Sequence, residues 1–175
     1  KTKKDWTHAN SLNYDKDGNF LISFYNNGQI WKVNSKTGKV MWKLGKNGTL
    51  KSDANASFSQ AHAAHINSEG SLLFFDKGVD KKQSSVYALK IDEKNNSAKL
   101  DFQIKLPLEI YNDRMGSAYM IDKDNILVCS SKRHITVLTN KKGVLVWALD
   151  SKIPPYRVEF IPEEKMKPFL MPKAV

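Results

Sequence analysis

Short apolar runs alternate with polar turns from one end of the chain to the other, and three segments repeat one arrangement. The first is Tyr14-Asp15-Lys16-Asp17-Gly18-Asn19-Phe20-Leu21-Ile22-Ser23, the second Ile66-Asn67-Ser68-Glu69-Gly70-Ser71-Leu72-Leu73-Phe74-Phe75, and the third Ile121-Asp122-Lys123-Asp124-Asn125-Ile126-Leu127-Val128-Cys129-Ser130. Each reads as a strand end, a polar turn with Gly or Asn where a positive φ is wanted, and a short apolar strand. Gly18 and Gly70 are 52 residues apart, and Ile66 and Ile121 are 55 apart.

A second pattern carries the same period. Ile30-Trp31-Lys32-Val33, followed by Lys36-Thr37-Gly38-Lys39-Val40-Met41-Trp42-Lys43-Leu44, returns 105 residues later as Ile135-Thr136-Val137-Leu138, followed by Lys141-Lys142-Gly143-Val144-Leu145-Val146-Trp147-Ala148-Leu149. Between them stands a degenerate copy, Ser85 to Leu89 and Ala98 to Phe102. Each period thus holds four short strands, which is the make-up of a β-propeller blade. The pattern predicts an all-β chain of three four-stranded blades, at about 6–44, 61–106 and 115–149, with a Trp between neighbouring blades. Residues 150–175 are expected to form a C-terminal strand, Tyr156 to Phe160, and a proline-broken irregular tail from Pro162 to Pro172. Gly45 to Gln60 reads as a loop, and no segment reads as a helix, because Asn, Gly, Thr and β-branched residues dominate. Propellers close with about four to eight blades. Three blades cannot close a ring, so the remainder is expected from upstream polypeptide, and the open blade faces are expected to drive self-association.

Composition changes this picture little. Of 175 residues, 41% are hydrophobic and 26% charged, which suits a globular core, and no apolar run is long enough for a membrane span. The net charge of +10 raises nucleic acid as a partner, but the lysines scatter over turns and alternating strand positions without forming a patch. A solvated surface with a general attraction for small anions fits better. The one cysteine, Cys129, lies in an apolar run and reads as a small buried residue.

Position within the repeat sorts the histidines. His8 lies ten residues before Gly18 and His62 eight before Gly70, so both fall near the start of their blade's first strand. First strands line a propeller's channel, and their equivalent ends converge at one mouth. His8 and His62 are therefore expected to be neighbours, with Asn10 on the same face as His8. The third blade brings Arg114, Gly116 and Ser117 to the same register. His134, at a turn beside Arg133, reads as a surface residue. His62 and His65 have helical i, i+3 spacing, but on a strand an odd offset sends them to opposite faces. No carboxylate or cysteine set completes a zinc site around them, and no cofactor is expected.

At these residues the chain resembles the arylsulfate sulfotransferases. Asp5-Trp6-Thr7-His8-Ala9-Asn10-Ser11 is similar to that family's DW-x-H-x-NS motif, and Gln60-Ala61-His62-Ala63-Ala64-His65-Ile66 to its QH-x-A motif. Phe75-Asp76-Lys77-Gly78 resembles its FDNG, and Tyr156-Arg157-Val158 a Tyr-Arg segment near family C-termini. The resemblance runs in order over nearly the whole chain, matching the family's C-terminal half. It implies a six-bladed propeller that moves a sulfuryl group from a phenolic sulfate ester to a phenol, without a nucleotide sulfate donor. His62 would be the nucleophile, passing through a sulfohistidine. His8 and Asn10 would bind the sulfuryl oxygens, with His8 assisting proton transfer, and Ser117 and Tyr25 would lie at the substrate. It also implies an extracytoplasmic location.

The sequence departs from the family pattern in places. An Arg expected after Ile22-Ser23-Phe24 is Tyr25, a Thr expected before Ser117 is Gly116, and Gln60 stands one residue further from His62 than usual. Arg114 is the residue expected to supply the missing positive charge. The departures leave a second reading open, a non-catalytic quinoprotein-like propeller used as a binding scaffold.

Overall fold

The computed structural model describes residues 5–170. Three sheets follow one another along the chain. The first sets β1 (Ala9–Tyr14), β2 (Phe20–Phe24), β3 (Gln29–Val33) and β4 (Val40–Gly45) side by side in sequence order. The second holds β6 (Ala61–Ile66), β7 (Leu72–Asp76), β8 (Ser85–Asp92) and β9 (Ser97–Lys105). Its outer edge gains a two-residue strand, β5 (Lys51–Ser52), which runs parallel to β9 inside the segment expected to be all loop. The third holds β10 (Ser117–Met120), β11 (Asn125–Ser130), β12 (Ile135–Asn140) and β13 (Leu145–Asp150). Apart from β5, each sheet is an antiparallel meander of sequence neighbours, the form of a propeller blade.

Two of the three repeated hairpins use the expected glycine, with φ of 78° at both Gly18 and Gly70. The third does without a left-handed residue. The Asp122 carboxylate accepts the amides of Asp124 and Asn125 at 2.9 and 2.8 Å and so holds the bend itself.

Period-2 alternation explains the packing. β7 is buried at every position. Leu72 and Phe74 face the first sheet, where they meet Leu21, Ile30, Trp42 and Leu44. Leu73 and Phe75 face the third, where they meet Ala118, Ile126, Val128 and Val137. The middle blade is thus covered on both faces. The outer blades are not. β13 is exposed along its length, Trp147 is 49% exposed, and Leu12 and Tyr14 of β1 are 57% and 70% exposed. The repeat partner of Trp147, Trp42, is 4% exposed and donates its indole N–H to Glu93 of the second blade. One sequence position is therefore core or surface according to whether a blade follows it.

The same joint buries Lys32. Its ammonium meets Asp15, Asp17 and Glu93 at 2.8, 2.6 and 2.6 Å, tying the β1–β2 turn of the first blade to the β8–β9 turn of the second. Cys129 is fully buried, and burial pushes its thiol up to about 11.

The C-terminal segment differs from expectation. Tyr156 to Phe160 forms no strand; it crosses beside β10 through side-chain bonds, with the Val158 amide donating to Ser117 Oγ at 3.1 Å. Beyond it a helix, α1 (Glu163–Leu170), replaces the expected irregular tail over those residues, while 171–172 lie outside the described residues. The Pro162 carbonyl accepts the amides of Lys165 and Met166, and Glu163 and Glu164 place negative charge at the positive end of the helix dipole. Pro168 lies inside this short helix, which has no buried residue.

Candidate active site

The first strands of the three blades end at one cavity of about 660 Å³, lined by His8, Asn10, Tyr25, His62, Lys77, Arg114 and Tyr156 among others. Bulges set the aim of these side chains. In β6 the pairing slips between His62, opposite Phe75, and His65, opposite Leu73, with Ala63 at φ 54°. Three residues on β6 therefore span two on β7, and the odd offset no longer separates the rings. Both histidines turn toward the third blade. His65 stacks on Tyr119 at 4.7 Å, and His62 reaches the backbone of Gly116. Among the described residues no three His, Cys, Asp or Glu side chains converge as a metal site.

The hairpin bonds also correct the register. The amides of Asp15 and Asn67, 52 residues apart, close equivalent turns, and the same spacing relates Asn10 to His62. His62 is thus the counterpart of Asn10, and His8 that of Gln60. The side-chain bonding agrees. Asn10 Nδ2 donates across the blade joint to the Ala61 carbonyl at 3.2 Å, and His62 Nδ1 donates across the next joint to the Gly116 carbonyl at 2.6 Å. His8 stands earlier, exposed, with its Nδ1 against the Asp5 carboxylate at 2.8 Å and its ring edge-on to Tyr25.

A carbonyl can only accept, so Nδ1 of His62 carries the proton and Nε2 the unprotonated lone pair. Nε2 faces Tyr156, whose hydroxyl lies 3.5 Å away. Burial, then the nearby positive charge of Lys77, depress His62 to about 4 against the opposing Gly116 bond. The ring is neutral through the physiological range.

Gly116 is required by its surroundings. At φ 93°, a Cβ there would lie 2.7 Å from the Phe75 ring and 2.9 Å from Asn112 Nδ2. This space cannot admit the threonine that the family pattern would place there. Gly116→Ala is expected to lower stability by about 1–3 kcal/mol in urea titration, through strain and overpacking.

Ser117 is placed apart from the cavity. It is fully buried, and its hydroxyl donates to the Val158 carbonyl at 3.3 Å. Arg114 is exposed on the rim beside Asp113, whose carboxylate is held by Lys132 at 2.9 Å. Half-buried Tyr25 forms part of the wall, under the ammonium of Lys77 at 4.4 Å from its ring centroid.

Three residues here were not singled out as site residues from the sequence. Lys77 is 5% exposed. Tyr156 faces His62, and Arg157 donates to the Asn10 carbonyl at 3.4 Å. The signal for Lys77 was a lysine two residues past the apolar run Leu72 to Phe75, next to Asp76.

The structure is similar to several solved propellers. A protein of unknown function from Bacteroides caccae superposes with a TM-score of 0.66 at 15% identity, over 92% of this chain and 52% of that one. The β-propeller domain of Cps50 (Swd1) from Myceliophteria thermophila gives 0.56 at 12%, over 83% and 44%. A catalytically inactive virginiamycin B lyase from Staphylococcus aureus gives 0.56 at 12%, over 90% and 46%. At these identities the likeness shows the fold, and the chain spans about half the length of each. No curated protein matches it. The sequence profile of the arylsulfotransferase (ASST) family matches residues 1–166, nearly the whole length, and the chain belongs to that family.

Proposed function

We propose that this chain carries the sulfuryl-transfer site of an arylsulfotransferase, with His62 as the nucleophile. The observation that carries the reading is the His62 ring itself: Nδ1–H fixed on the Gly116 carbonyl, unprotonated Nε2 facing the cavity beside the Tyr156 hydroxyl, and the neutral form held by burial and adjacent positive charge. Nε2 gives its lone pair to the sulfur of an aryl sulfate. The sulfur–oxygen bond to the ring breaks, and its electron pair leaves on the phenolate. A phenol acceptor then attacks the sulfur of the sulfohistidine. The sulfur–nitrogen bond breaks, and its pair returns to Nε2. His8, whose Nδ1 meets the Asp5 carboxylate, would take the acceptor's proton. Asn10 and the cations around the cavity would hold the sulfuryl oxygens, as a transferring anion requires.

On this reading further blades, from the same polypeptide or a second copy, cover the exposed faces of β1 and β13, and the protein works outside the cytoplasm. The test is to incubate the protein containing this chain with 4-nitrophenyl sulfate and phenol. Release of nitrophenolate together with phenyl sulfate is expected. No transfer over a panel of aryl sulfates would favour the scaffold reading.

A further inference from the structure

Among the described residues two lysines have buried side chains, and they are partnered in opposite ways. Lys32 is 3% exposed and surrounded by three carboxylates. Lys77 is 5% exposed, yet among the described residues its ammonium makes no ion pair and no hydrogen bond, and it lies over the face of Tyr25. An ammonium largely withdrawn from water and without an anion is costly, and burial pulls Lys77 down to about 8 against the pull of Asp113 and Asp76.

The backbone around it is fixed. The Asp76 carboxylate accepts the amides of Ser59, Gln60 and Gly78, at 3.1, 3.0 and 3.2 Å. The Lys77 amide donates to Gln60, and its carbonyl accepts Ser84 Oγ at 3.1 Å. This residue is held in place, pointed into the cavity that His62 lines, and left without a counter-ion. Among the described residues the one carboxylate lining that cavity, Asp113, is already paired with Lys132.

We propose that Lys77 is the primary anion-binding residue of this cavity, its ammonium receiving the charged group of the ligand between Tyr25 and His62. The anion class, a sulfate monoester, rests on the sulfuryl-transfer reading; the unpartnered cation does not. A bound anion gives Lys77 the partner the protein withholds. It also places the anion's central atom beside the unprotonated Nε2 of His62. A point charge with rotatable donors suits a group whose oxygens move as the sulfur is transferred.

The test compares the protein containing this chain with Lys77→Met and Lys77→Arg, all in a His62→Ala background that prevents turnover. Calorimetry at neutral pH measures binding of 4-nitrophenyl sulfate, phenyl phosphate, benzoate and uncharged phenol, and thermal melts are recorded without ligand. Lys77→Met should weaken 4-nitrophenyl sulfate on the order of thirtyfold and leave phenol unchanged, while Lys77→Arg stays within about fivefold. Ligand-free Lys77→Met should melt higher than its parent, because an unpaired buried charge is gone. Lys77-dependent binding of phenyl phosphate or benzoate without any of the sulfate ester would support the anion site and remove the sulfuryl-transfer reading. Equal affinity of the sulfate ester in parent and Lys77→Met would overturn the proposal. So would failure of the parent to bind any of the three anions, or a lower melt in Lys77→Met with phenol binding lost, which marks a structural lysine.

Discussion

Replacing His62 by alanine is expected to abolish transfer from 4-nitrophenyl sulfate and to remove the covalently sulfated protein with it. The loss should reach about a thousandfold or more in kcat, as for the removal of a covalent nucleophile. The ring is 2% exposed and makes one strong bond, to the Gly116 carbonyl, so its removal leaves a cavity and one unpaired carbonyl while the bulged strand keeps its ladder partners. Mass spectrometry after brief exposure to donor gives the decisive reading. Sulfate still attached to protein in His62→Ala would end the nucleophile assignment, whatever the rate.

The acid limb of the same reaction follows from the ring's surroundings. With His62 depressed to about 4, kcat/KM should hold down to roughly that pH and fall below it, where an ordinary histidine would fail near 6.5. The alkaline limb is set by Lys77, depressed to about 8, whose charge disappears above that value. The stability sign is opposite to that of a paired histidine. Between about 6.5 and 4 the unfolded chain binds the His62 proton and the folded protein does not, so this group lowers stability progressively as pH falls through that window.

The blades were legible because a blade repeats. Hairpin turn, apolar strand and Trp-ended strand recur at a fixed period, and alternation along Leu72 to Asp76 reappears as two cores on two faces of one sheet. Convergence of the first strands followed from the same period, and His8, Asn10, Tyr25, His62 and Arg114 line one cavity. The finer geometry was hidden by bulges. They shift pairing by one residue without a mark in an Ala-His-Ala-Ala-His run, so the aim of His62 and His65 could not be read from alternation, although counting to the glycine already puts Asn10 and His62 in one register, each eight residues before Gly18 and Gly70. Lys77 and Tyr156 were hidden for another reason. Their role depends on which groups lie opposite across a blade joint, and a repeat pattern describes each blade alone. With Tyr25 where an arginine was expected, charge was sought on Arg114, which the fold leaves exposed on the rim, while a lysine one strand away points inward. The terminal helix escaped notice because its prolines, which bracket and interrupt it, read as breakers.

Lys32→Met is expected to cost more stability than any other single change outside the cavity, about 2–4 kcal/mol by urea titration at neutral pH. Removing one partner from a buried ionic cluster costs about 3–5 kcal/mol, and the lower figure reflects the side chains of Asp17 and Glu93, 43% and 45% exposed and so partly screened. Methionine fills the space of the lysine stem but leaves Asp15, Asp17 and Glu93 facing one another across the joint between two blades. The pH dependence identifies the cause. In the intact protein burial works to raise Asp17, but the Lys32 ammonium and the Asn19 donors outweigh it and bring the group down to about 2. Its contribution is therefore complete above the ordinary value of 3.8 and is lost as pH falls toward 2. In Lys32→Met the Asp17 carboxylate loses the ammonium that lowers it and is left facing two others, and protonation relieves the repulsion. The variant should gain stability between neutrality and about pH 4–5 while the parent does not. The gap between them then narrows on acidification. A gap that stays constant from pH 7 to 4 would mean that Lys32 acts by packing its methylenes against the joint and that its charge contributes nothing.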